Sequence, residues 1–388
     1  MGEATREQLA AMGRAARLLL CGDVMLGRGI DQILPHPGKP RLHEPYVTSA
    51  ATYVDLAERA NGPIPRRADP AYVWGDALEV LRRESPDLRI INLETSITDS
   101  EQPAAKSIHY KMSPDNVPCL TAAGVDCCVL ANNHVLDWER AGLLETLEAL
   151  DRAGIAVAGA GRGLAEARAP AVLRLPHGGR ALVFAFGETG SGIPRSWAAG
   201  DGVPGINLLP DLSERSARRV ADLVRAAKRP GDIAVASIHW GGNWGYRIPA
   251  AHAAFAHHLI DLAGIDLVHG HSSHHPKAIE IHRDRLVLYG CGDFLNDYEG
   301  IHGHEAYRGE LVLMYLPALE PDSGRLVELR LTPFRIRRFR LVRATPADTA
   351  WLREMLARES APFSTRVDAE ADGTLSVSAS RAPERPRC

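Results

Sequence analysis

Leu18-Leu19-Leu20-Cys21-Gly22-Asp23 is an apolar run of strand length that ends on an acid, with a glycine placed for a turn. The same grammar returns in Leu88-Arg89-Ile90-Ile91-Asn92-Leu93-Glu94, in Cys127-Cys128-Val129-Leu130-Ala131-Asn132-Asn133-His134, in Ile233-Ala234-Val235-Ala236-Ser237-Ile238-His239 and in Ile265-Asp266-Leu267-Val268-His269-Gly270-His271. Between these polar-tipped strands lie amphipathic stretches at 74–83, 138–153, 212–228 and 249–263 that read as helices. The alternation is the signature of an α/β sheet wrapped by helices, in which ligands gather beyond the carboxyl ends of the strands.

Outward from this core the pattern changes. After Lys277 come hairpin-like strands, 278–281 with 286–289, then 309–316 and 326–341, which imply a second, mostly antiparallel sheet. The Pro-rich segment 31–70 reads as a long insertion near the site, with one helix at 46–59. Residues 1–17 read as an N-terminal extension, 18–345 as the main domain, and 346–388 as a helix followed by a frayed tail from about Ser360.

Composition sets the outer limits. Among the 388 residues, 45% are apolar and 24% charged, the range of an ordinary globular chain. A formal net charge of −3 without a basic stripe argues against a nucleic-acid partner. Cys21, Cys119, Cys127, Cys128, Cys291 and Cys388 form no C-x-x-C pair, so buried free thiols in a reducing compartment are expected. The apolar run 18–21 is too short for a signal core or a membrane span, and a cytoplasmic protein without a membrane partner is the expectation.

The strand tips carry the chemistry. Asp23 alone reads more readily as a helix N-cap, and beside Glu94 the adjacent Thr95 and Ser96 equally open a turn. Asn133-His134 is more specific, because an amide oxygen and an imidazole meet at one tip and Asp137 follows at a spacing that can steady the ring. The histidines are the strongest signal: 11 of the 16 lie between His239 and His304, and His239, His269, His271 and His274 fall at or beyond strand ends. Carboxylate, amide and imidazole without thiolate suit divalent zinc, manganese or iron, and two such ions sharing a carboxylate serve in-line displacement at phosphorus.

In order, Gly22-Asp23-Val24-Met25-Leu26-Gly27-Arg28, Asn92-Leu93-Glu94, Asn133-His134 with Asp137, His239-Trp240-Gly241 and Gly270-His271 with His274 resemble the CapA family, named for poly-γ-glutamate capsule synthesis and similar to calcineurin-like metallophosphoesterases. The resemblance covers about Leu18 to Gly300. It implies a four-layer α/β/β/α sandwich of the metallo-dependent phosphatase type with two divalent ions. On these positions it implies that Asp23 and His274 bind the first ion, Glu94 bridges, and Asn133, His239 and His271 bind the second. His134 would act on the scissile group and Asp137 would orient it. The phosphoesterase D-x-H opening is absent, since Val24 and Met25 follow Asp23, so His269 or Asp293 is expected to compensate, with Asn92 supporting the site. Arg28, His109, Lys111, Tyr246 and Arg247 are candidates for holding an anionic substrate of small or medium size. Phosphoester hydrolysis is the leading expectation. Hydrolysis or transfer at a γ-glutamyl amide, and a non-catalytic accessory role in polymer synthesis, stand beside it.

Overall fold

The computed structural model describes residues 15–176 and 178–380. The expected extension over 1–17 therefore falls almost wholly outside the described residues. The strands of the two large sheets are β1 (Ala16–Val24), β2 (Leu88–Leu93), β3 (Cys127–Val129), β4 (Ala156–Ala158), β5 (Ala171–Arg174), β6 (Arg180–Gly187), β7 (Ile233–His239), β8 (Leu267–His271), β9 (Ile279–His282), β10 (Arg285–Leu288), β11 (Asp293–Leu295), β12 (Leu311–Leu319), β13 (Leu326–Ile336), β14 (Leu341–Arg343), β15 (Thr365–Ala369) and β16 (Leu375–Ala379). The main helices are α1 (Ala51–Asn61), α2 (Ala77–Glu84), α3 (Glu139–Arg152), α4 (Glu214–Ala227), α5 (Ala250–Asp261) and α6 (Pro346–Ser360).

The chain is a mixed α/β protein with two mixed central sheets. The first runs β15-β16-β13-β12-β1-β2-β3-β4, with β11 beside β1 and β14 beside β13; the second runs β9-β10-β8-β7-β6-β5. The polar-tipped strands thus divide, with β1, β2 and β3 in the first sheet and β7 and β8 in the second.

Side-chain parity shows how the second sheet is buried. On β6, Ala181, Val183 and Ala185 join the core shared with β1, β2 and β12, whereas Leu182, Phe184 and Phe186 join a separate core under α4 and α5. A strand turns alternate residues to opposite faces. Ile233 and Val235 on β7 and Leu267 on β8 face the first sheet, so Ser237, His239, His269 and His271 at odd positions face it too. The alternation thus aims the two histidine-tipped strands of the second sheet at the tips of the first.

Two expectations from sequence are corrected. The strands after Lys277 do not make a separate antiparallel sheet: the β9–β10 hairpin extends the second sheet, and β12, antiparallel to β1, carries β13 to β16 onto the first. The frayed tail is also wrong as far as Ala379. Thr345 and Asp348 form a capping box that starts α6. Beyond it, β15 and β16 pair with each other and β16 also pairs with β13, burying Val367, Leu375 and Val377. In the 31–70 segment the helix begins later than the sequence suggests, at Ala51, and packs on the short helix Arg28–Ile33. Cys21, Cys119, Cys127, Cys128 and Cys291 are buried free thiols, while Cys388 lies outside the described residues. No helix of the described residues is long and apolar enough to cross a membrane.

Candidate metal centre

Asp23 sits at the end of β1 because the backbone there is squeezed. A Cβ on Gly22 would lie 1.7 Å from the Gly292 carbonyl oxygen, so glycine alone lets β1 meet the turn before β11. This closeness sets Asp23 beside Asn92 on β2 and Asp293 on β11. Asn92 donates to one Asp23 oxygen at 2.7 Å and itself accepts from Asn132 at 3.0 Å. The other oxygen, Oδ2, is buried with no hydrogen-bond partner. Burial, with Asp293 alongside, pushes the Asp23 carboxyl up to about 8. A nearby cation would offset the burial of such a carboxylate.

Two sets of donors converge on it: Asp23, His239 and His271 form one, and Asp23, His274 and Asp293 the other, the atoms within each lying within 4.8 Å of one another. Asp23 is therefore the carboxylate common to both, the place the resemblance gives to Glu94. His239 Nδ1 is 2.8 Å from His271 Nδ1, and the His239 Nε2 is held by Asn133 Oδ1 at 2.9 Å. Asn133 therefore lies against the first donor set, with its amide oxygen on His239. Burial holds His239 and His271 well below the usual imidazole range, which leaves neutral rings with lone pairs for a metal. At His274 burial opposes the charge, but Asp293 at 3.0 Å, with Asp23 beyond, outweighs it and raises the pKa. Asp293 is kept in place by Asn296 at 2.7 Å. Glu94 lies between the sets and His134, its Oε1 3.8 Å from His239 and 3.9 Å from His134, and burial drives its carboxyl well above the ordinary range. Neutral imidazoles, buried carboxylates and an orphaned oxygen together fit a divalent ion.

His134 borders this centre. Its Nδ1 contacts Asp137 Oδ2 at 2.6 Å, and the Asp137 carboxylate also takes Lys106 Nζ at 2.7 Å and the Tyr110 backbone N–H at 2.6 Å. Tyr110 stacks on the imidazole with ring centroids 3.8 Å apart. Burial, reinforced by the Lys106 charge, keeps His134 well below its ordinary pKa.

A family model described as bacterial capsule synthesis protein PGA_cap matches residues 17–298 of this sequence, a span that holds every donor named above. The chain belongs to this family, that of CapA. It is 52% identical over 362 residues to a probable polyglutamine synthesis accessory protein of Mycobacterium tuberculosis, covering 93% of this chain and 95% of that one. It is 24% identical over 280 residues to the capsule biosynthesis protein CapA of Bacillus anthracis, covering 72% of this chain and 59% of that protein.

Other residues that the sequence of this CapA-family chain singles out make their hydrogen bonds outside the donor sets. His269 has both ring nitrogens engaged, Nδ1 with Ser237 at 3.0 Å and Nε2 with the Cys21 carbonyl at 2.7 Å, so it ties β8 to β1 across the sheets and does not complete the donor sets. His109 bonds the Ala104 carbonyl at 2.8 Å, and Lys111 bonds the Ser100 carbonyl at 3.0 Å while lying over Trp138. Tyr246 belongs to an aromatic group with His275 and Tyr307, and Arg247 is exposed. Arg28 is buried and paired, forking onto Asp297 and reaching Glu44 at 2.9 Å, with its plane over Tyr53. Its φ of 46°, unusual outside glycine, is held by that fork. Arg28→Lys keeps the charge and loses the fork, so unfolding in urea is expected to show a loss of about 1.5–3 kcal/mol, the scale of hydrogen bonds to charged groups. An unchanged midpoint would return Arg28 to the substrate candidates.

Lys106 and Tyr110 touch Asp137 and His134, yet the sequence marks only their neighbours His109 and Lys111. The segment 104–110 is irregular, so no periodicity shows which side chains turn inward.

Proposed function

We propose that this CapA-family protein takes part in polyglutamine or poly-γ-glutamate-type polymer synthesis as a metal-dependent hydrolase or transferase acting at a γ-glutamyl amide. The observation that carries this reading is Asp23 Oδ2, buried without a partner where two donor sets meet, beside the His134–Asp137 pair. The name of the Mycobacterium tuberculosis relative supplies polyglutamine, and the family description and the Bacillus anthracis name supply capsule synthesis. Asp23, His239 and His271 would hold one ion, and Asp23, His274 and Asp293 a second; manganese, zinc or iron suits these donors. Such an ion supplies Lewis-acid activation of the scissile group and of water. His134, neutral through burial, takes at Nε2 the proton of the water or amine that bonds to the amide carbon and returns it to the leaving nitrogen as the C–N bond breaks, while Asp137 holds Nδ1 and stabilises the charged ring. Lys106 anchors Asp137, and Tyr110 shields one face of the imidazole from water.

A second reading is phosphoester hydrolysis on a metallophosphatase-type sandwich. It is favoured by one specific feature, a carboxylate shared between donor sets at the facing strand ends of two stacked sheets. Manganese-loaded protein offered oligo-γ-glutamate in one assay and a generic aryl phosphodiester in another separates the two. Release of glutamate-terminated fragments supports the amide reading, and turnover of the phosphodiester alone replaces it with the second. Binding of manganese with neither activity would sink both and leave the non-catalytic accessory role.

Metal removal gives a check that needs no substrate. Since the donors assemble only in the folded chain, an ion at 100 times its Kd is expected to stabilise the protein by about 2.7 kcal/mol over chelator-treated protein. Thermal unfolding with and without manganese measures it. No difference would count against any metal at Asp23.

A further inference from the structure

A second group of metal-type donors lies on the other face of the second sheet. In the β9–β10 hairpin Glu280 stands opposite Val287, and Val287 belongs to the core beneath α4 and α5, whereas its neighbours Leu286 and Leu288 belong to the core between the sheets. Strand parity therefore turns Glu280 and His282 toward α5 and away from Asp23. Helix α5 meets them with His257 and, one turn on, Asp261. His257 Nε2 is 2.9 Å from Glu280, His282 Nε2 is 3.0 Å from Asp261, and the two imidazoles stack with centroids 3.9 Å apart. Donor atoms of His257, Glu280 and His282 all lie within 4.8 Å of one another.

We propose that His257, Glu280 and His282 form a site for a zinc-type divalent ion, separate from the Asp23 centre, which clips β9 to α5. Donors at i and i+2 on a strand and at i and i+4 on a helix share a face, so two elements supply the ligands without any loop having to be ordered. Two imidazoles and a carboxylate are a common zinc set, with a fourth place for water or for Asp261. Glu280 is already oriented as a ligand of this kind should be: its second oxygen accepts from the buried Tyr289 hydroxyl at 2.5 Å, an outer partner that fixes the carboxylate plane. Metal entry asks one stacked ring, His282, to turn so that the two ring nitrogens converge. The position gives the clip a use, because β9 is one of the two edge strands of its sheet and an edge gains from being covered. Without an ion the same residues are two separate histidine–carboxylate pairs, and the experiment decides between these states.

Intact protein is dialysed to equilibrium against low-micromolar free zinc, and bound zinc is counted by mass spectrometry for wild type, His282→Asn and Glu280→Gln. Neither residue belongs to the Asp23 centre, so metal bound there is counted equally in all three, whatever its function. One zinc equivalent fewer in both variants, with a smaller zinc-induced rise in Tm, is the expected result. Equal zinc counts in wild type and variants would overturn the proposal. If His282→Asn fails to fold, Glu280→Gln, which keeps the side-chain shape and the Tyr289 bond, decides by the same count.

Discussion

Asp23→Asn is expected to empty the centre of metal while leaving the metal-free protein at least as stable as wild type. The two halves of this result come from one cause. Asn at this position still accepts the Asn92 hydrogen bond, so the strand-end geometry survives, but it removes a carboxylate that is buried with one oxygen unpartnered and with Asp293 beside it. Loss of a mere outer partner typically weakens metal affinity about 10–100-fold. Loss of the carboxylate common to both donor sets is expected to exceed that, with activity falling in step. The sign of the pH dependence follows. In metal-free wild type the Asp23 carboxyl holds its proton up to about 8, far above the usual carboxylate range, so folded protein binds more protons than unfolded protein between those values. Stability must then fall as pH rises through that window, and the Asp23→Asn variant should show a flatter profile. Metal titrations and urea unfolding across this range test both halves. Should the variant instead unfold readily without metal and still bind manganese, Asp23 would be a structural residue of the β1 end and the centre would have to be rebuilt around Glu94.

The period-two logic of buried strands makes much of this site legible in the sequence. Apolar runs ending in Asp23, Asn92, His239 and His271 identify strands, and a strand end is where a side chain can leave the core without leaving the fold. What the runs do not encode is which sheet each strand joins, because β1 and β7 read alike while lying in opposite sheets. β6 carries no such mark. Its run, Ala181 to Gly187, is as apolar as the others but ends on glycine, with no ligand type to draw attention to it. Among single residues, His269 illustrates the limit of counting histidines: it has the same parity as His271 and sits two residues earlier, deeper between the sheets, where a backbone carbonyl takes its nitrogen. Arg28 illustrates the limit of charge. An arginine near a predicted site invites an anion, yet its partners, Glu44 and Asp297, come from segments whose proximity no local pattern announces.

His134→Ala is expected to lower turnover about 10²–10⁴-fold, the range for loss of a general acid–base group, with bound metal unchanged. The separation of effects rests on geometry. His134 is in neither donor set, and its contact with the centre runs through Glu94, 3.9 Å from Nε2, while its other nitrogen faces Asp137. Removing the ring therefore leaves the donors in place and takes away the proton carrier. Asp137→Asn should act in the same direction but less strongly, since the imidazole remains and loses only the carboxylate that orients it and stabilises its charge. The folding cost separates the two variants. Asp137 also gathers Lys106 and the Tyr110 N–H, so its replacement loosens segment 104–110 and should lower Tm, whereas His134→Ala leaves those bonds intact. An equal fall in turnover and in metal content for His134→Ala would mean that the ring is a ligand, and the proton would then have to be carried by another group. A fall in turnover alone puts the proton at His134 and makes Lys106, through Asp137, the residue that holds the imidazole in place.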